Sequence, residues 1–208
     1  MKVIALLFSI LFVLYSHGQT NPKKGMTYDK ENAMYYRITN DDKYLYLNFY
    51  KDEYAAKVIK PGGIMIFFNT VGEKDTLNVP NILFPVYSYP NRDFEIILAR
   101  GFTGVPASKM SIYNKYGITG EAKYKEISTK SEYAKDYSIF EGKISIPRKL
   151  LKDNSTMLSI MLLLRGVRLK PLPVGANLGI LMNTTPEQNI YFSNIDYWTH
   201  SWIDYQLK

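Results

Sequence analysis

Apolar and polar residues alternate with a period of two along much of the chain. Tyr35 to Thr39 and Tyr44 to Tyr50 follow this rule and are rich in aromatic and β-branched residues, the pattern of half-buried strands. Asn40-Asp41-Asp42 lies between them and supplies short polar side chains that hydrogen-bond the local backbone, so the pair reads as a hairpin. Lys51 to Lys60 predicts a short helix closed by Pro61-Gly62-Gly63, and the continuous apolar run Ile64 to Phe68 predicts a strand buried on both faces. Met110 to Tyr113, Gly120 to Ile127, Tyr137 to Ile146, Met157 to Leu164, Leu178 to Met182, Ile190 to Phe192 and Trp202 to Leu207 read as further strands. Phe94 to Ala99 is short and apolar enough to be strand or helix. Many short strands without an internal repeat predict an all-β fold, an antiparallel two-sheet β-sandwich with at most one or two short helices. The closing segment is expected to pair within a sheet.

The first residues follow another rule. Lys2 precedes an apolar run from Val3 to Tyr15, and Ser16-His17-Gly18 provides small residues before Gln19. The run is shorter than the roughly 20 apolar residues of a membrane span. Residues 1–18 therefore read as a secretory signal peptide, and 19–208 as a single domain of ordinary size. The expected destination is the periplasm or the exterior. No Cys follows the signal, so a lipoprotein anchor is not expected and no disulfide framework supports the fold. With only two His, one inside the signal, a catalytic zinc centre lacks ligands. The formal charge of +7 falls by one on loss of Lys2. Its bases are scattered apart from Lys23-Lys24, Arg148-Lys149 and the Arg165, Arg168, Lys170 group, which fits a solvated surface better than a nucleic-acid interface.

"YYRITNDDKYLYLNFY", "KPGGIMIFFNTVGEKD", "IYNKYGI", "FEGKISIPRKLL" and the closing "WIDYQLK" together resemble exported Bacteroidetes proteins related to family-9 carbohydrate-binding modules and, more distantly, to dopamine-monooxygenase N-terminal (DOMON-like) domains. The similarity runs from about Tyr35 to Lys208. It implies a jelly-roll-like sandwich with "DDKYLYL" as an early hairpin strand and "GKISIP" as a core strand. Members of the family bind sugars, bind haem or have no assigned ligand, so the resemblance leaves the ligand open.

Two sets of residues carry candidate chemistry. Asp41, Asp42, Asp52 and Glu53 lie near hairpin ends, where hard oxygen ligands could hold Ca²⁺, although their spacing matches no calcium loop and turn formation alone explains them. Paired carboxylates also leave glycoside hydrolase as an alternative. The aromatic load, 18 Tyr and two Trp, points instead to a non-catalytic module that stacks sugars on flat rings while amides and carboxylates take the hydroxyls. The glycan-binding candidates are Tyr87 and Tyr89 in "YSYP", Tyr113 and Tyr116 in "IYNKYG", and Asn194, Asp196, Tyr197 and Trp198 in "NIDYWTHSW". Trp202, inside the final alternating strand, is expected in the core. Haem-binding relatives use Met and His, and His200 with a Met is the pair this chain could offer. "GFTGVP" lacks the Lys of a phosphate loop, and no Gly-x-Ser-x-Gly elbow is present. The expected function is glycan binding by an exported, non-enzymatic module. The alternative is a cell-envelope assembly protein that binds another protein through a sheet edge or aromatic patch.

Overall fold

The computed structural model describes residues 21–87, 92–93, 97–105, 110–112, 116–151, 156–164, 185–186, 188 and 198–208. The expected signal peptide and the strands expected at 178–182 and 190–192 lie outside these residues. Alternation gives rise to β2 (Met34–Asn40) and β3 (Tyr44–Lys51), joined by the expected turn, and to β4 (Ile64–Asn69), β10 (Thr119–Glu126), β11 (Ser138–Pro147) and β12 (Met157–Leu164). The closing strand, β13 (Thr199–Gln206), starts three residues before the expected Trp202. β1 (Thr27–Asp29), β5 (Asn81–Phe84), β6 (Val86–Tyr87) and β7 (Arg92–Asp93) were not expected, being too short to show a period. The ambiguous apolar stretch resolves as strand, β8 (Ile97–Arg100), which pairs with β9 (Met110–Ile112).

Two antiparallel sheets result, one ordered β1-β2-β3-β11-β10 and the other β13-β12-β4-β5-β8-β9, with β6 and β7 as a small separate ribbon. The inward residues of both sheets form one core: Leu45, Leu47 and Phe49 of β3 and Phe140, Ile144 and Ile146 of β11 face Ile64, Ile66 and Phe68 of β4 and Leu158, Ile160 and Leu162 of β12. The protein is thus a β-sandwich, as the sequence predicts. Gly142 shows how closely the layers approach. A Cβ there would lie 2.8 Å from Phe140 Cζ and 3.3 Å from Phe84 Cε1, so a side chain would displace two phenyl rings.

The segment after β3 differs from expectation. Lys51 completes the strand opposite Phe140, so the helix expected over 51–60 is confined to a short run from Ala56 to Gly62, of which Val58–Gly62 is a π-helical turn. Gly63 N closes that turn on Val58 O at 2.9 Å. Gly63 has φ +79, and a Cβ on it would come 2.8 Å from Pro85 O, so both backbone conformation and space require glycine there.

A polar network ties the layers together. Asp29 Oδ2 accepts from Asn32 Nδ2 (2.6 Å) and from Ser201 Oγ (2.5 Å), and Asn32 Nδ2 also donates to Leu162 O (3.2 Å). The turn between β1 and β2 is thereby pinned to β12 and β13. Lys51 Nζ, almost fully enclosed, donates to Asn32 O (2.8 Å) and Ala33 O (3.0 Å) from the other side.

Candidate functional site

The Asn40-Asp41-Asp42 turn is first a piece of structure. Asp41 Oδ1 accepts from Lys43 N (2.8 Å) and Tyr44 N (2.7 Å), and its Oδ2 accepts from Tyr46 OH (2.7 Å). These bonds, the tyrosine's foremost, favour the ionised carboxylate and hold its pKa below the usual value. Asn40 Oδ1 accepts from Tyr205 OH (2.8 Å) and Lys208 N (3.1 Å), while its Nδ2 donates to Lys208 O (2.8 Å). Arg148, just past β11, donates from Nη1 to Asp41 O (2.9 Å) and Lys208 O (3.1 Å), and its own N–H reaches Lys43 O (2.8 Å). Three distant parts of the chain thus make one braced floor.

Beside that floor lies an open cleft of about 460 Å³. Asp42, Lys43 and Tyr44 form one wall, Tyr116 and Gly117 another, and Pro147, Arg148 and Lys149 the base. Tyr116 is exposed and sits at φ +59, a conformation strained for a bulky residue, which holds its ring at the rim. Gly117 follows at φ +78, where an added Cβ would approach Pro147 Cγ at 3.0 Å. The cleft therefore offers two phenol rings, one exposed carboxylate, a fixed guanidinium and two lysine ammonium groups.

The other residues expected from sequence fall elsewhere. Asp41 and Asp42 precede the eight residues of β3, whereas Asp52 and Glu53 follow it, so the two pairs stand on the order of 25 Å apart. Asp52 pairs with Lys23 (2.6 Å) and Glu53 with Lys135 (2.9 Å). The four carboxylates do not converge, and among the described residues no group of three or more metal-ligating side chains is present. Tyr87 lies on β6, while Tyr89, Tyr113, Asn194, Asp196 and Tyr197 lie outside the described residues. Trp198 is half-buried just ahead of β13, and His200 is exposed on it.

Trp202 requires a correction. Ser201 bonds to Asp29, and Ile203 and Tyr205 pack against the core, so the inward phase of β13 is the odd-numbered one and Trp202 stands on the outer face. Period-two alternation defines two faces without saying which is buried. Trp202→Ala is accordingly expected to lower stability by about 1–2 kcal/mol, in keeping with a half-buried ring rather than a core one. Urea unfolding measures this, and a loss near 4 kcal/mol would return the residue to the core.

That outer face carries a row that sequence reasoning missed. Trp202, Met161, Phe67, Asn81 and Arg100 stand side by side across five strands, a span of about 19 Å at the usual strand spacing. At its polar end, Phe67, Asn81 and Arg100 floor a second cleft of about 460 Å³, walled by Thr76, Leu77, Asn78 and Val79. Leu77 and nearby Val71 are each 72% exposed, an apolar signal inside a polar loop that was visible in the sequence. A third aromatic group comprises Tyr28, which is 43% exposed, and Tyr35 and Tyr50, which Lys23 covers, its Nζ lying 4.6 Å from the centre of the Tyr35 ring and 5.4 Å from that of Tyr50.

Among the described residues no helix is long and apolar enough to cross a membrane. Comparison with family models, with curated proteins and with solved structures finds no match for this chain.

Proposed function

We propose that this protein is an exported, non-catalytic module that binds glycan in the cleft between the β2–β3 turn and Tyr116. The observation that carries the reading is the Tyr116 ring, held at the rim by a strained left-handed backbone opposite the exposed Asp42 and the braced Arg148. Sugar recognition needs such a set: an aromatic face for the apolar side of the pyranose, and a carboxylate and donors for its hydroxyls. The signal-like first 18 residues and the resemblance to family-9 carbohydrate-binding modules agree with it. Glycoside hydrolysis uses two carboxylates flanking the scissile bond, and Asp42 is the one carboxylate among the described residues lining this cleft.

Calorimetric titration of the purified protein with a panel of oligosaccharides tests the reading. Tyr116→Gly removes the ring while suiting the left-handed backbone, so it is expected to weaken binding several-fold, about 1 kcal/mol, without lowering the unfolding midpoint. If no oligosaccharide binds, or if the variant binds as well as the parent, the cleft is not the site.

A second reading rests on a separate observation. Val71 and Leu77 are each 72% exposed and Met157 is 42% exposed, and a Cβ added at Gly72 would lie 3.6 Å from Met157 Cγ, which places this turn beside Met157. An apolar patch beside the outer-face row suits a protein partner in the cell envelope.

A further inference from the structure

We infer that the glycan taken by the Tyr116 cleft is an acidic one, a sugar chain bearing carboxylate or sulfate groups. This inference rests on the glycan reading above and narrows its ligand class. Among the side chains lining the cleft, Lys43, Arg148 and Lys149 are cationic and Asp42 alone is anionic. The Asp41 carboxylate attracts Lys43, but its oxygens are bonded to Lys43 N, Tyr44 N and Tyr46 OH, and only its main-chain oxygen meets Arg148, so the guanidinium keeps its remaining donors free of it.

Arg148 is the centre of the site. Its Nη1 is anchored by two main-chain oxygens, Asp41 O and Lys208 O, which fixes the plane of the guanidinium before any ligand arrives. Among the described residues no side-chain carboxylate pairs with it. A guanidinium carries five N–H donors in a rigid fork, so the remaining donors of a braced arginine match the two oxygens of a carboxylate or sulfate. Lys43 and Lys149 are exposed, and they add an attractive field that salt screens. Asp42 supplies the opposite selection. An exposed carboxylate accepts from sugar hydroxyls and repels a densely charged strand, so the site favours a hydroxyl-rich acidic sugar over a nucleic acid.

The test is calorimetry at two salt concentrations with matched probes. Oligogalacturonate is compared with its methyl-esterified form, and oligosaccharides of a sulfated galactan with their desulfated parent. At least one acidic probe is expected to bind about tenfold more tightly than its uncharged counterpart. That advantage should shrink as salt rises and disappear in Arg148→Gln. Because Arg148 also braces the turn, a Lys43→Gln/Lys149→Gln double variant provides a second readout and should lose several-fold on the acidic probe alone. The two probe pairs separate carboxylate from sulfate recognition. Equal binding of charged and uncharged members overturns the acidic inference and leaves the glycan reading standing. Single-stranded DNA binding as tightly as the acidic sugars also overturns it, in favour of unselective polyanion attraction. Absence of binding by every probe defeats both readings.

Discussion

A chain truncated before Thr199 is expected to lose cooperative folding. β13 pairs along all eight residues of β12, from Met157 opposite Gln206 to Leu164 opposite Thr199. β12 is apolar on both faces and buried from Leu158 to Leu162, so removing its neighbour leaves an eight-residue hydrophobic edge open to other chains. The truncation also takes Ile203, Tyr205 and Leu207 from the core, each half-buried side chain contributing roughly 1 kcal/mol. Further losses are the Ser201 bond to the buried Asp29 carboxylate and the Tyr205 and Lys208 bonds to Asn40. Leaving a buried charge short of a donor costs about 1–3 kcal/mol. The sum approaches the whole stability of an ordinary small protein, about 5–15 kcal/mol. Thermal and urea melts followed by circular dichroism should show a broad, weak transition and aggregation; a sharp transition near the full chain's midpoint would contradict this.

The second large effect is an unusual dependence on pH. Lys51 is 2% exposed, and burial, followed by the nearby charge of Lys57, pushes its amine down to about 7 despite the attraction of Glu53, Asp29 and Asp52. Burial likewise pushes Lys57 down to about 8. In the unfolded chain both amines return to about 10.5. Between pH 7 and 9.5 the unfolded state therefore holds protons that the folded state has released, and stability must rise with pH across that window. At about 1.4 kcal/mol per pKa unit the gain is on the order of a few kcal/mol, most of it from Lys51 because water screens Lys57 more. Deprotonation breaks no contact, since a neutral amine retains two N–H groups for Asn32 O and Ala33 O. Urea midpoints should climb from pH 7 to 9.5 in the parent, and in Lys51→Met should climb less and only above about pH 8, where the buried Lys57 still releases its proton. At pH 9.5 the variant should be the weaker, because its two carbonyl acceptors have lost their donor. A parent midpoint that is flat or falling over this range would refute the burial of the charge.

Strands such as β3, β11 and β12 were visible in the sequence because their pattern is sustained over eight or ten residues; four-residue β5 and three-residue β1 are too short to show a period. The turn at Asn40-Asp41-Asp42 was legible because short side chains bonding the local backbone define it, as Asp41 does here. The helix expected over 51–60 begins only at Ala56, because its first residue is claimed by a distant interaction: Lys51 pairs with β11 and grips the β1–β2 turn. The candidate site was legible only in parts. Tyr116 and Asp42 were each singled out, for stacking and for metal binding, but nothing local indicated that they line one cleft with Arg148.

The sequence by itself thus determined the local choices: which segments extend, where the chain turns, and the all-β class. Those choices depend on side-chain period and on hydrogen bonds within a few residues. Only the tertiary structure decided that β13 turns Ile203 and Tyr205 inward and Trp202 outward, that Lys51 is enclosed, and that the hairpin turn, Tyr116 and Arg148 meet around one cleft. The reason is physical. Which face of a strand is buried, and which loops gather at one end of a sandwich, follow from register and from the packing of one sheet on the other, and these join residues that the chain keeps far apart.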